Sequence, residues 1–92
     1  MAAEHEPVGP PKPSVLETEL DGDISLYDPT SERVTVLNAT ASDVWRLVDG
    51  ERSATDITGL LASAYGVVPG SIADDVSAAL RSFEEAGLLG GG

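Results

Sequence analysis

Apolar and polar residues alternate through the first half of this chain, and the apolar spacing then lengthens to three and four. Val15, Leu16 and Leu20 mark one expected strand over residues 14–20, and Ile24 with Leu26 marks a second over 23–27. Asp21-Gly22 between them suits a two-residue hairpin turn, because both residues tolerate positive φ. Asp28-Pro29-Thr30-Ser31 supplies the next turn, with Asp at its first position and φ-restricted Pro at its second. A β-rich run, Arg33-Val34-Thr35-Val36-Leu37, completes a third strand over 32–37. Three strands in a meander become stable once a helix covers one face.

The longer spacing predicts three helices. The first covers 40–48, capped by Asn38 or Thr40 with Asp43 three residues after Thr40, and buries Ala41, Val44, Trp45 and Val48 before Asp49-Gly50. The second starts behind Ser53, matched by Asp56, carries Ile57, Leu60, Leu61 and Ala64, and stops at Tyr65-Gly66. The third has Pro69 near its first turn, where a missing N–H costs nothing. Its stripe is Ile72, Val76, Ala79, Leu80 and Phe83, and Asp74 and Asp75 lie near its positive end. Ala86-Gly87 ends it, and Leu88-Leu89 is expected to fold back onto the core. The fold class that follows is α+β, a three-stranded antiparallel β-meander followed by three α-helices.

Ninety-two residues allow one modest domain. Residues 1–12 are acidic and Pro-rich with little to bury, so they are expected to form a disordered tail. The folded domain is then 13–89, and the glycines of 90–92 form a flexible C-terminus. The start of the chain has no apolar stretch of a secretory signal, and no run is long enough to span a bilayer. Cytoplasmic residence is the default expectation, with no membrane partner.

The net charge is −11, with only Lys12, Arg33, Arg46, Arg52 and Arg81 as basic residues. Nucleic-acid binding draws much of its affinity from neutralising phosphates, so this balance argues against it. A sheet with three helices also describes winged-helix DNA binders. The third helix here, however, offers Arg81 alone against Asp74, Asp75, Glu84 and Glu85, and a duplex would be repelled.

Chemistry-bearing constellations are weak. Cysteine is absent, which removes disulfides, thiolate zinc sites and thiol catalysis together. His5, the single histidine, sits in the expected tail and reads as a surface residue rather than a base or ligand. The pairs Asp21/Asp23, Asp74/Asp75 and Glu84/Glu85 fall in a turn or on a solvated helix face, without the shielded cleft that separates catalytic pKa values. The hairpin acids also lack the remaining ligands of a calcium loop. The serines have no base or oxyanion loop, and no glycine-rich phosphate loop follows a strand. No catalytic residue, metal site or cofactor is expected, and the chain reads as a non-enzyme.

The third strand is the informative element. As the last of a meander it keeps one unpaired edge, and Val34 to Leu37 contain no Lys or Pro to blunt it. The pattern allows two arrangements. In one, the stripe on the third helix is wholly core and the N-terminal tail covers the edge. In the other, Val76, Ala79, Leu80 and Phe83 wall a groove beside an edge whose backbone amides near Thr35 stay vacant, ready for an added strand.

Leu37-Asn38, Thr40-Ala41, Trp45, Tyr65-Gly66 and Gly87-Leu88-Leu89, in that order, resemble the recurring pattern of the PqqD-like family. These are the RiPP recognition elements, which bind leader segments of ribosomally made precursor peptides. The resemblance covers roughly Val15 to Leu89. It implies a winged helix-turn-helix-like arrangement, with the leader joining the third strand as an extra antiparallel strand beside the third helix. The implied peptide-binding residues are Arg33, Val34, Thr35, Val36 and Leu37 on the strand, and Asp75, Val76, Ala79, Leu80 and Phe83 on the helix. Asp74, Asp75 and Glu84 would face basic leader side chains. Many relatives carry an aromatic in the third strand, where this chain has Val34-Thr35-Val36. The implied partners are a precursor peptide and a modifying enzyme such as a leader peptidase, a cyclase or a radical SAM enzyme. An acidic protein–protein adaptor and a winged-helix regulator are the rival readings.

Overall fold

A computed structural model of the protein describes residues 6–90. Strands β1 (Leu16–Leu20), β2 (Asp23–Asp28) and β3 (Arg33–Val36) form one antiparallel sheet in the order β1-β2-β3. Helices α1 (Ala39–Leu47), α2 (Ala54–Tyr65) and α3 (Ala73–Glu85) follow, with a short 3-10 turn at Pro69–Ser71. The α+β meander-then-helices architecture expected from the pattern is the one observed.

The first hairpin turns at Asp21-Gly22, both at positive φ. At the second, the Asp28 carboxylate accepts the Thr30 N–H at 3.0 Å, fixing the Asp-Pro turn. Along β2, Ile24 and Leu26 point inward and are buried, while the alternate residues face away from the helices. Ile24 and Leu26 join Val44, Trp45, Ile57, Leu61, Val76, Leu80 and Phe83 in one core.

Capping explains where the helices start. The Asn38 side chain accepts the Ala41 N–H at 2.8 Å, so Asn38 rather than Thr40 caps α1. Asp43 is thereby released from the expected capping role and pairs instead with Arg46 at 2.8 Å. Ser53 and Asp56 form the expected capping box on α2. Within α2, Ile57, Leu61 and Ala62 are buried while Leu60 is exposed, so the buried stripe is rotated from the one expected. Pro69 does not open the third helix. It begins the separate 3-10 turn, and Ile72, at φ −123° and ψ 0°, stands between that turn and α3. After α3, Leu88 returns its N–H to Phe83 O at 2.9 Å and is buried, as the fold-back expectation required.

The N-terminal segment departs from expectation. Residues 1–5 lie outside the described residues, but the described part of the supposed free tail is tied to the body. Val8 donates to Arg52 O at 2.8 Å and accepts from Gly50 N at 3.0 Å. Lys12 donates to Leu88 O and Gly90 to Pro10 O, both at 2.8 Å. The Lys12 ammonium lies 3.2 Å from the buried Asp28 carboxylate. Gly9 makes the close approach possible, since its φ is +87° and a Cβ there would come within 2.5 Å of Val48 Cγ1. Composition reports how much apolar surface a segment has to bury. This strap is held mainly by backbone bonds, which composition does not register. The same bonds hold Gly90, whereas residues 91–92 are not described.

A candidate peptide-binding groove beside β3

The geometry of the β3 edge follows from one hydrogen bond. Leu37 donates its N–H to Ile24 O at 2.8 Å, continuing the register in which Ser25 faces Val36 and Tyr27 faces Val34. Amides alternate in direction along an antiparallel strand. Those of Arg33 and Thr35 therefore turn toward β2, and those of Val34 and Val36 turn outward. Among the described residues no element pairs with that outward edge. The N-terminal strap, one occupant allowed by the pattern, bridges instead to Ser53 and Leu89. The vacant amides near Thr35 are thus its two neighbours.

Ser42 decides where the ladder stops. Its buried hydroxyl accepts the Ile24 N–H at 2.9 Å and lies 3.4 Å from Leu37 O, to which it donates. A hydroxyl thus occupies the place of the last cross-strand bond and parts the two strands. The chain then leaves the sheet at Leu37 and enters α1 through the Asn38 cap.

Between the β3 edge and α3 lies a groove of about 520 Å³. From the strand and the start of α1 it is lined by Thr35, Val36, Leu37, Asn38, Thr40 and Ala41, and from α3 by Asp75, Ala78, Ala79, Ser82 and Phe83. Six residues named from the sequence meet here: Thr35, Val36, Leu37, Asp75, Ala79 and Phe83. Val34 and Arg33 lie on the same strand, outside the groove lining. Val76 and Leu80 are buried in the core behind it. Asn38, Thr40, Ala41, Ala78 and Ser82 complete the lining and lie outside the set expected from the sequence. Ala78 and Ser82 flank the apolar stripe at a spacing of four, so the small residues beside a helical stripe were the available signal.

Phe83 forms the aromatic part of the lining, and Trp45 sets its position. The two rings meet edge-on with centroids 5.2 Å apart and planes at 83°. Trp45 is held from its other side, its indole N–H donating to Glu17 Oε1 at 2.7 Å. Asp75 is the only ionisable side chain among the lining residues. The hydroxyls of Thr35, Thr40 and Ser82 and the Asn38 amide stand there among small apolar groups.

The groups with shifted acidities lie elsewhere. Burial pushes the Asp28 carboxyl up, but its bonds to the Thr30 N–H and to Lys12 outweigh this and hold it below the usual value. Asp49 is held low chiefly by the Arg52 and Glu51 amides. The Tyr65 hydroxyl donates to the Asp43 carboxylate, which together with burial pushes its pKa up to about 12. None of the three lines the groove. Among the described residues no cluster of three or more His, Cys, Asp or Glu side chains is placed to hold a metal ion. His5 lies outside them. No helix of the described residues is long and apolar enough to cross a membrane.

A free strand edge beside a helix-walled groove is an arrangement that an extended chain can join by strand addition. Residues 24–89 match the family described as Coenzyme PQQ synthesis protein D (PqqD), and the chain belongs to that family. Two solved structures share its fold. One, "TbiB1 in Complex with the TbiA(beta) Leader Peptide", is 21% identical with a TM-score of 0.76, over 89% of this chain and 95% of that one. The other, "Lasso peptide synthetase B1 complexed with the leader peptide", is 24% identical with a TM-score of 0.74, over 89% and 96%. Among curated protein sequences none matches it.

Proposed function

We propose that this protein captures the leader segment of a ribosomally synthesised precursor peptide and presents it to a modifying enzyme without performing chemistry itself. The leader adds to β3 as a fourth, antiparallel strand, exchanging main-chain bonds with Val34 and Val36. Its alternate side chains enter the groove over Ala79 and Phe83. Arg33, Thr35 and Leu37 fix the strand, Val76 and Leu80 set α3 behind the groove, and Asp75 faces a basic leader residue. The enzyme that receives the leader is a leader peptidase, a cyclase or a radical SAM enzyme.

The observation that carries this reading is the β3 edge, unpartnered among the described residues and lying directly beside the groove. Strand addition supplies affinity through the main chain and selectivity through pockets for alternate residues. Membership of the PqqD family supports it, as do the leader-peptide complexes formed by the two proteins of similar fold. The exposed acids of α3 weigh against the winged-helix regulator.

The test is a titration of isotope-labelled protein with a synthetic cognate leader peptide. The Val34 and Val36 amides should gain protection from exchange, while Thr35, already bonded to β2, changes little. Shifts confined to α2 or to the N-terminal strap would overturn the proposal. An adaptor working through its acidic surface would instead lose its partner as salt rises.

A further inference from the structure

Strand β1 carries acids where a sheet covered by helices ordinarily carries apolar residues. Glu17 pairs with Leu26 and Glu19 with Ile24, and both partners are buried on the helix-facing side of β2. Side chains directly opposite each other in a sheet share a face, so the two carboxylates turn toward the helices. Each meets one donor on α1. Glu19 pairs with Arg46, an exposed contact of the kind that contributes little. Glu17 Oε1 instead accepts the indole N–H of Trp45 at 2.7 Å, and that residue is only 4% exposed.

The indole bond reaches the groove through one further contact. Trp45 meets Phe83 edge to face, and Phe83 lines the groove whereas Trp45 does not. The outer torsion of a tryptophan side chain is broad and roughly two-fold, so a fixed acceptor for its N–H selects one orientation of the ring. Turned about that torsion, the indole would present a different edge to Phe83. A water molecule would satisfy the same donor without being anchored to the sheet, so what Glu17 supplies is position.

We propose that Glu17 is a positioning residue for leader capture. From β1, at the opposite edge of the sheet from β3, it holds Trp45 and, through Trp45, the Phe83 wall of the groove. This rests on the leader-capture reading and adds to it a determinant outside the groove. Coupling of this kind is reciprocal: whatever Glu17 does to leader affinity, bound leader does to the Glu17–Trp45 bond.

Two measurements test it, with the synthetic cognate leader peptide as the probe. Trp45 is the single tryptophan, so the folded protein gives one indole N–H resonance. Saturation with leader should shift that resonance and slow its exchange, although Trp45 is not a lining residue. Glu17→Met removes the acceptor at similar length and should weaken leader binding about threefold to thirtyfold, the range for residues that act through their neighbours. Glu17→Gln keeps an acceptor oxygen and should restore most of the affinity and the near-ultraviolet dichroism of Trp45. In a Trp45→Phe background, which lacks the donor, Glu17→Met should cause no further loss.

An indole resonance unmoved by leader overturns the proposal, as does wild-type affinity in Glu17→Met or an equal loss in both backgrounds. The resonance is read on wild type alone, so it decides the matter if Glu17→Met does not fold. A wild type that fails to bind leader overturns the leader-capture reading itself, and the role of Glu17 with it.

Discussion

Trp45 and Phe83 meet edge to face at 5.2 Å, and the pair joins the core to the candidate site. Phe83 is fully buried by residue, yet it contributes to the wall of the groove. Groove shape is therefore inseparable from core packing, and the same ring serves stability and recognition.

Phe83→Ala should cost about 3–5 kcal/mol of stability, the range for truncating a buried aromatic. Urea unfolding followed by fluorescence of the single Trp45 measures it. Phe83→Leu keeps most of the volume and should cost less than about 1.5 kcal/mol. A leader affinity that drops with Phe83→Leu would then reflect the groove rather than unfolding.

Ser42→Ala leaves the buried Ile24 N–H and Leu37 O without the hydroxyl that joins them. The expected loss is about 1–3 kcal/mol. Faster exchange of the Ile24 amide, measured beside that of Leu26, locates the effect at the end of the ladder.

Val34→Pro removes an amide that points away from β2, where an edge strand tolerates proline. Its melting temperature should change little, whereas leader affinity should fall by about tenfold, as one main-chain bond is lost and the ring obstructs the guest. Thr35→Pro is the control. It removes a bond to β2 and should lower the melting temperature directly. Equal leader binding by Val34→Pro and wild type would count against strand addition.

Tyr65 provides a pH signature. Its hydrogen bond to Asp43, with burial, raises the phenol from 10.0 to about 12. The unfolded chain releases this proton first, so the stabilisation is intact below pH 10 and declines as pH rises from 10 toward 12. In a Tyr27→Phe background, phenolate absorbance should report Tyr65 alone. Tyr65→Phe should flatten stability over that interval, and an unshifted titration would contradict the Asp43 contact.

Much of the fold was legible in the chain because it is written in local chemistry. Asp21-Gly22 specifies its own turn, and Ser53 with Asp56 specifies its own helix start. The stripe Val76, Ala79, Leu80 and Phe83 specifies the buried side of α3. Even the outer edge of β3 followed from its place as the last of a meander.

What the pattern left open depends on partners distant in sequence. Whether residues 7–12 cover β3 or another surface was settled by backbone bonds to Arg52, Gly50 and Leu88. The placing of Ser42 between Ile24 and Leu37, and the opening of a groove between β3 and α3 instead of a sealed core, are likewise tertiary outcomes. Periodicity tells which side of each element is apolar. Only the relative placement of the elements decides which polar groups are satisfied and which edge is left for another chain, because those bonds join residues that local sequence does not relate.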